Sequence, residues 1–182
     1  MLRRGVVPAL VLLLVAQIGI RQWQERRQVP LTGLYPGEPV PLLEVAKVGG
    51  TPVGSLAEIL TAKSSCSLLV VFSPGCPICQ RMRLTWRERY RSWVAEVGAA
   101  VTHVWLSVYP DSLVGPFVAN YDLDAVVLRV SSGEAAAAYA DLGIIGTPTS
   151  YLIDPRGRVQ MGLLGDVLPP ADAAKRVCKD AA

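Results

Sequence analysis

The sequence predicts an α/β fold, a central mixed β-sheet flanked by helices, and three observations predict it. Apolar runs of strand length at 67–72, 100–108 and 125–130 alternate with segments of helical period, the pattern of parallel crossovers. Two further runs, 149–153 and 158–164, meet across Asp154-Pro155-Arg156-Gly157, whose Pro and Gly suit a hairpin turn. An antiparallel pair added to parallel crossovers makes the sheet mixed, with helices on both of its faces.

The elements follow in order. Residues 5–20 carry no charge and only one strongly polar side chain, Gln17, between Arg3-Arg4 and the group Arg21, Arg26 and Arg27. A helix crossing the hydrocarbon needs roughly 17–25 residues, which 6–23 would supply if Arg21 snorkels and Trp23 sits at the interface. Small residues at signal-cleavage spacing are missing: Leu14 stands two before Ala16, and Gln17 two before Gly19. Residues 1–23 are therefore read as an N-terminal transmembrane anchor, with a cleaved signal sequence as the alternative. Either carries the rest of the chain to the exported side of a membrane, the periplasmic side in a bacterium, if the N-terminus stays inside. Residues 24–36, with Pro30, Gly33 and Pro36, form a tether, and 37–182 the folded domain.

Within that domain a short strand is expected at 40–45, then a turn at Gly49-Gly50. Ser55 reads as the N-cap of a short helix, 56–62. After Ser67 the run 67–72 is apolar, as a central strand buried on both faces requires. The next helix is the clearest: Cys79, Met82, Trp86, Trp93 and Val97 recur on one face and Gly98 stops it. Arg83, Arg87 and Arg91 form its other, solvated face, which could dock an acidic partner. The strand 100–108 ends before Pro110. A helix at 111–121 despite Pro116, the strand 125–130, an Ala-rich helix at 132–142, the hairpin, and a helix at 169–179 complete the domain.

The whole chain has a net charge of +3, but five Arg and one Glu lie within residues 1–29, leaving 13 basic and 14 acidic groups elsewhere. Nothing in that balance calls for nucleic acid as a partner. Four cysteines suit an exported domain, where disulfides persist.

Two of them carry the chemistry. Phe72-Ser-Pro-Gly-Cys-Pro-Ile-Cys79 puts a C-x-x-C pair where a buried strand meets a long helix. Pro77 suits the first helical position, because its missing N–H would have no partner there. Cys76 then lies at the helix N-terminus, where unpaired N–H groups and the dipole favour a thiolate and lower its pKa. Cys79, one turn deeper on the apolar face, should stay protonated yet be close enough to attack a mixed disulfide formed at Cys76. A second element is Gly146-Thr147-Pro148-Thr149. A Pro where a central strand begins forfeits a ladder bond unless a special turn accounts for it. A cis Thr147–Pro148 bond would do so and present the Thr147 backbone to a substrate strand; a trans Pro in an ordinary loop is the alternative.

C-x-x-C is also half of a zinc site, but the chain lacks a second pair, and His103, read as a core or edge residue, is its only histidine. Phe72, Pro74 and Ile78 are expected to rim the sulfurs as an apolar docking surface.

On these motifs the chain resembles the thioredoxin-like superfamily, particularly its membrane-anchored TlpA-like and MauD-like branch. The resemblance spans about 33–179 and rests on Gly37-Glu-Pro-Val-Pro41, on 68–79, and on Gly146-Thr-Pro-Thr-Ser-Tyr-Leu-Ile-Asp154 with Arg156-Gly157. It implies a thiol–disulfide oxidoreductase with Cys76 as nucleophile, Cys79 as resolving thiol and Pro148 as the cis-proline. It also implies protein substrates, as in maturation of cytochrome c or methylamine dehydrogenase, an upstream membrane thiol carrier for a reductant, and no cofactor. In that fold Cys66 and Cys178 could meet at the end of the sheet away from the active site and form a structural disulfide; two unpaired thiols are the alternative. Two departures stand out. Gly75 replaces the Trp that thioredoxins place before the first Cys, and 68–72 holds no acid where they bury one.

Three other functions remain open on sequence. A copper-delivery module would use both thiols but lacks a second histidine. A peroxidase of the peroxiredoxin class would match Ser73, three residues before Cys76, but not Leu69, where that class has Pro. A non-catalytic assembly factor would keep the fold and only bind a client.

Overall fold

The computed structural model describes residue 17 and residues 33–62, 65–119, 122–131 and 135–179. The expected anchor, Gln17 apart, and the tether up to residue 32 lie outside the described residues. Among the described residues no helix is long and apolar enough to cross a membrane.

Among the described residues seven strands form one sheet in the order β2-β1-β5-β4-β3-β6-β7. The strands are β1 (Glu44–Lys47), β2 (Pro52–Ser55), β3 (Cys66–Val71), β4 (Val101–Ser107), β5 (Val126–Val130), β6 (Thr149–Ile153) and β7 (Val159–Leu164). β3 pairs parallel with β4 and antiparallel with β6, and β4 pairs parallel with β5. The sheet is mixed, and the hairpin β6–β7 supplies one of its edges.

Five helices accompany the sheet among the described residues: α1 (Leu56–Thr61), α2 (Pro77–Val97), α3 (Asp111–Val118), α4 (Ala135–Asp141) and α5 (Ala171–Lys179). α1 starts with a complete capping box: Ser55 accepts from the Glu58 N–H while the Glu58 carboxylate accepts from the Ser55 N–H. α2 opens on Pro77 and closes on Gly98, whose φ of 64° is the left-handed conformation that glycine adopts most readily.

β3 explains why two cores exist. All six of its residues are buried, and alternate ones feed opposite faces of the sheet. Leu69 and Val71 join Leu106, Tyr151 and Leu60 on one face, while Leu68 and Val70 join Cys79, Met82 and Trp86 of α2 on the other.

Several elements differ from expectation. The first strand begins at Glu44 rather than 40, and it forms a hairpin with β2, an edge strand. Pro52 and Gly54 hide β2 from a sequence reading, since neither is a strand former. α3 ends two residues past Pro116, and α4 ends at Asp141, one residue before the expected 142. The arginines of α2 are not simply a solvated face. Arg83 donates to the Phe117 carbonyl and lies 4.7 Å from that ring centroid, while Arg87 and Arg91 pair with Asp122 and Asp124, both at 2.8 Å. These carboxylates, in the segment leading into β5, offset the charge that could have docked an acidic partner.

At the far end of the sheet Cys66 and Cys178 are disulfide-bonded, with Cα atoms 5.2 Å apart, so α5 is stapled to the start of β3. Trp93 of α2 reinforces the attachment by donating to the Pro169 carbonyl at 2.7 Å.

His103 on β4 organises the polar interior of the α2 face. Its Nε2 accepts from the indole N–H groups of both Trp86 and Trp105 at 2.9 Å, so this nitrogen must be bare. Nδ1 then carries the proton, directed at the Asp124 carbonyl at 3.1 Å. Tyr90 stacks on the imidazole with centroids 3.9 Å apart. Burial, opposed by the Asp124 carbonyl and the Asp124 charge, holds the His103 pKa down to about 4, from 6.5.

Two expected outcomes follow. Below pH 6.5 the unfolded chain protonates His103 while the folded chain does not, so stability falls with pH until about pH 4. The loss is about 3 kcal/mol by linkage. Denaturant titrations should show that slope between pH 6.5 and 4.5 in the native protein and a flatter one in His103→Gln. Replacing both Cys66 and Cys178 by Ser should lower unfolding free energy by about 2–4 kcal/mol, read by the same titration, without altering reactivity at the distant Cys76.

Candidate active site

β3 delivers the chain to the site. Phe72 continues it, its N–H bonded to the Leu106 carbonyl at 2.9 Å, and Ser73-Pro74-Gly75 then turns the backbone, with the Cys76 N–H bonded to the Ser73 carbonyl at 3.1 Å. Cys76 is the N-cap of α2 in an extended conformation and half-buried. Cys79 lies one turn deeper and is 0% exposed. Both thiols are free of disulfide bonds.

The second loop comes from the other side of β3. The Thr147–Pro148 peptide is cis, and the Thr147 carbonyl accepts from the Cys76 thiol at 3.1 Å. The Pro148 carbonyl accepts from the Gly165 N–H at 2.7 Å, which ties the loop to the segment after β7. Thr149 Oγ1 donates to the Gly146 carbonyl at 2.7 Å and closes the turn. Residues 71 apart in sequence thus meet at one sulfur because β3 and β6 are neighbours in the sheet.

Beside the sulfurs is an open groove of about 410 Å³ lined by Ser73, Gly75, Gln80, Tyr109, Leu113 and Phe117. Gly75 is exposed, and a Cβ there would meet only Ser73 Oγ at 4.0 Å, so the missing Trp leaves this wall open. The expected apolar rim is only partly present. Ile78 is 38% exposed, but Phe72 is fully buried, stacked on Phe117 with centroids 4.8 Å apart, and Pro74 is buried. Phe72 still has the inward register of β3, which explains its direction.

No family model matches the chain, and no curated protein matches it. Solved structures do. A thiol:disulfide interchange protein from Bacteroides sp. superposes with a TM-score of 0.59 at 16% identity, over 79% of this chain and 88% of that one. A thiol:disulfide interchange protein of the thioredoxin family from Chlorobium tepidum gives 0.52 at 23%, over 81% and 99%. StoA from Bacillus subtilis gives 0.51 at 20%, over 78% and 98%. The chain has a thioredoxin-like fold. At these identities the likeness is one of fold, and the chemistry rests on the site itself.

At the end of β3 the two thiols sit in opposite fields. Burial pushes Cys76 up, but donors outweigh it: the backbone and side chain of Cys79, the Thr147 side chain and the Ile78 backbone together bring its pKa below 9.0. Cys79 is pushed up to about 12, first by burial and then by the neighbouring Cys76 sulfur, against a backbone bond from Ser73. One sulfur is therefore prepared to ionise and the other to hold its proton. Two tyrosines that the sequence did not single out, Tyr109 and Tyr139, are hydrogen-bonded to each other, and Tyr139 lies in the field of both sulfurs. Tyr139 of α4 is raised to about 12 by burial, by a hydrogen bond with Tyr109 and by the cysteine sulfurs. No spacing pattern in the sequence marks either tyrosine. Among the described residues no cluster of three or more His, Cys, Asp or Glu is placed to share a metal ion.

The asymmetry has a direct readout. At pH 7 a soluble alkylating agent should modify Cys76 faster than Cys79 by about 100-fold or more, as followed by mass spectrometry of each peptide, since rate tracks thiolate fraction and access.

Proposed function

We propose that the protein exchanges thiols and disulfides with a protein substrate on the exported side of a membrane. The observation that carries this reading is the arrangement of a half-buried Cys76 at the N-cap of α2, a buried Cys79 one turn deeper, and the Thr147 carbonyl 3.1 Å from the outer sulfur. The Cys76 thiolate attacks a client disulfide, one client sulfur leaves, and a mixed disulfide forms. Cys79 then attacks Cys76, the Cys76–Cys79 bond forms, and the second client sulfur departs as a thiol. Run backwards, the same steps oxidise a client dithiol. A substrate strand would pair with the Thr147 backbone, and Pro148 would keep that edge clear of a competing N–H.

The structural neighbours named as thiol:disulfide interchange proteins support this chemistry. The Cys66–Cys178 disulfide supports a compartment without cytosolic reductants. The apolar run with its flanking arginines supports an anchor at 1–23, a tether at 24–36 and a catalytic domain at 37–182. In that setting a membrane thiol carrier would supply electrons when the protein reduces its client. A client undergoing redox-protein maturation, such as an apocytochrome c or methylamine dehydrogenase, agrees with the branch that the sequence resembles.

A Cys79→Ser variant expressed in the native host should accumulate client proteins joined through Cys76, released by reductant and absent from Cys76→Ala, Cys79→Ser. If nothing is captured, and a double alanine variant at both positions still complements a deletion strain, the protein is a non-catalytic assembly factor instead.

A further inference from the structure

Releasing the client requires Cys79 to lose its proton, and its surroundings make that hard. Burial holds this thiol at about 12; the Ser73 backbone, the Cys76 sulfur and the Thr147 side chain act on it, and Tyr139, itself raised to about 12, shares its field. None of them is a carboxylate, an imidazole or an amine. A thiol so placed needs a polar group to receive its proton as its sulfur attacks.

Ser150 is such a group. It lies on β6, two residues past the cis Pro148, and the register sets it directly opposite Val70 of β3. Residues facing each other across an antiparallel pair point to the same side of the sheet. That side is the one on which Val70, Leu68 and Leu152 pack with Cys79 and Met82, whereas Tyr151 and Ile153 serve the other core. Ser150 is 1% exposed, and its Oγ has no hydrogen-bond partner. Its neighbours show how unusual this is. The hydroxyls of Ser67, Thr149 and Tyr151 each donate to a backbone carbonyl at 2.7 Å. An unpaired buried hydroxyl is costly, and an apolar side chain would serve the strand better. Stability does not account for a serine here.

We propose that Ser150 is the positioning residue for the Cys79 proton, its hydroxyl holding a water molecule against the Cys79 sulfur. The inference rests on the exchange reading above. In the mixed disulfide the Cys79 thiol passes its proton to that water as its sulfur attacks Cys76. The Cys76–Cys79 bond forms, the Cys76–client bond breaks, and the client sulfur leaves with the bonding pair. The water passes a proton on to solvent at the mouth of the site, where the client thiolate takes one up.

Rapid mixing of the reduced protein with 5,5′-dithiobis(2-nitrobenzoate) separates the two steps, because each releases one equivalent of coloured thiolate. In Ser150→Ala the first phase, attack by Cys76, should keep its native rate. The second phase, attack by Cys79, should slow by about 10-fold or more at pH 7, and its pH profile should move to higher pH. Thermal stability should stay level or rise, and Ser150→Thr, which keeps the hydroxyl, should restore the second phase. A second phase at the native rate in Ser150→Ala overturns the proposal. So does a slowing accompanied by lost stability that Ser150→Thr fails to reverse, or a second phase that depends on Thr147 (Thr147→Val) and not on Ser150. Failure of the exchange reading looks different: the native protein itself would show no fast first phase.

Discussion

The N-terminus of α2 is held at the end of a strand with no solvent-facing side, and the position of both sulfurs depends on that constraint. β3 is buried at all six residues between β4 and β6, so Phe72 and the turn after it have little freedom to move. Phe72 is locked further by its stack on Phe117 and its tilted contact with Trp105. From this fixed point α2 departs across one face of the sheet, and its apolar stripe of Cys79, Met82, Trp86, Tyr90, Trp93 and Val97 decides its rotation about its own axis. That rotation buries Cys79 and leaves Cys76 at the surface.

The difference between the thiols is thus produced by packing before any charge is considered. Backbone groups at the start of a helix favour a thiolate, and at Cys76 they prevail over modest burial. Three residues on, burial is complete and prevails over the donors. The protein needs no ionised side chain at the dithiol to create this gradient. A half-buried sulfur and a fully buried one on the same helical turn are sufficient.

The same face of the sheet handles its other polar groups in two ways. His103 is satisfied on both nitrogens, by two indoles and one carbonyl, and is thereby held neutral in a defined tautomer. Its contribution is to fix the layer in which Trp86 and Trp105 pack. Ser150, in contrast, is buried without a partner, near the reactive end of the same layer. A satisfied polar group in a core belongs to structure, while an unsatisfied one on the sheet face that buries Cys79 asks for a chemical explanation. The far end of the sheet shows the structural solution again: the Cys66–Cys178 bond and the Trp93–Pro169 hydrogen bond secure α5 well away from the two free thiols.

The sequence by itself determined the elements that local chemistry specifies. The apolar run 67–72, the Cys-Pro-Ile-Cys junction, the stripe of α2 with its Gly98 stop, and the turn at 154–157 all announce themselves within one or two turns of chain. It did not announce β2, whose Pro52 and Gly54 take strand conformation only because β1 offers a partner. The Cys66–Cys178 pairing across 112 residues and the Thr147 backbone at the dithiol were expectations that left an alternative open, and nothing in the sequence tied Arg87 and Arg91 to Asp122 and Asp124 or turned Phe72 inward. Those outcomes depend on which strands become neighbours and which side of each strand faces which helix. Strand order and register are long-range quantities, set by the burial of whole faces at once, and only the tertiary structure decided them.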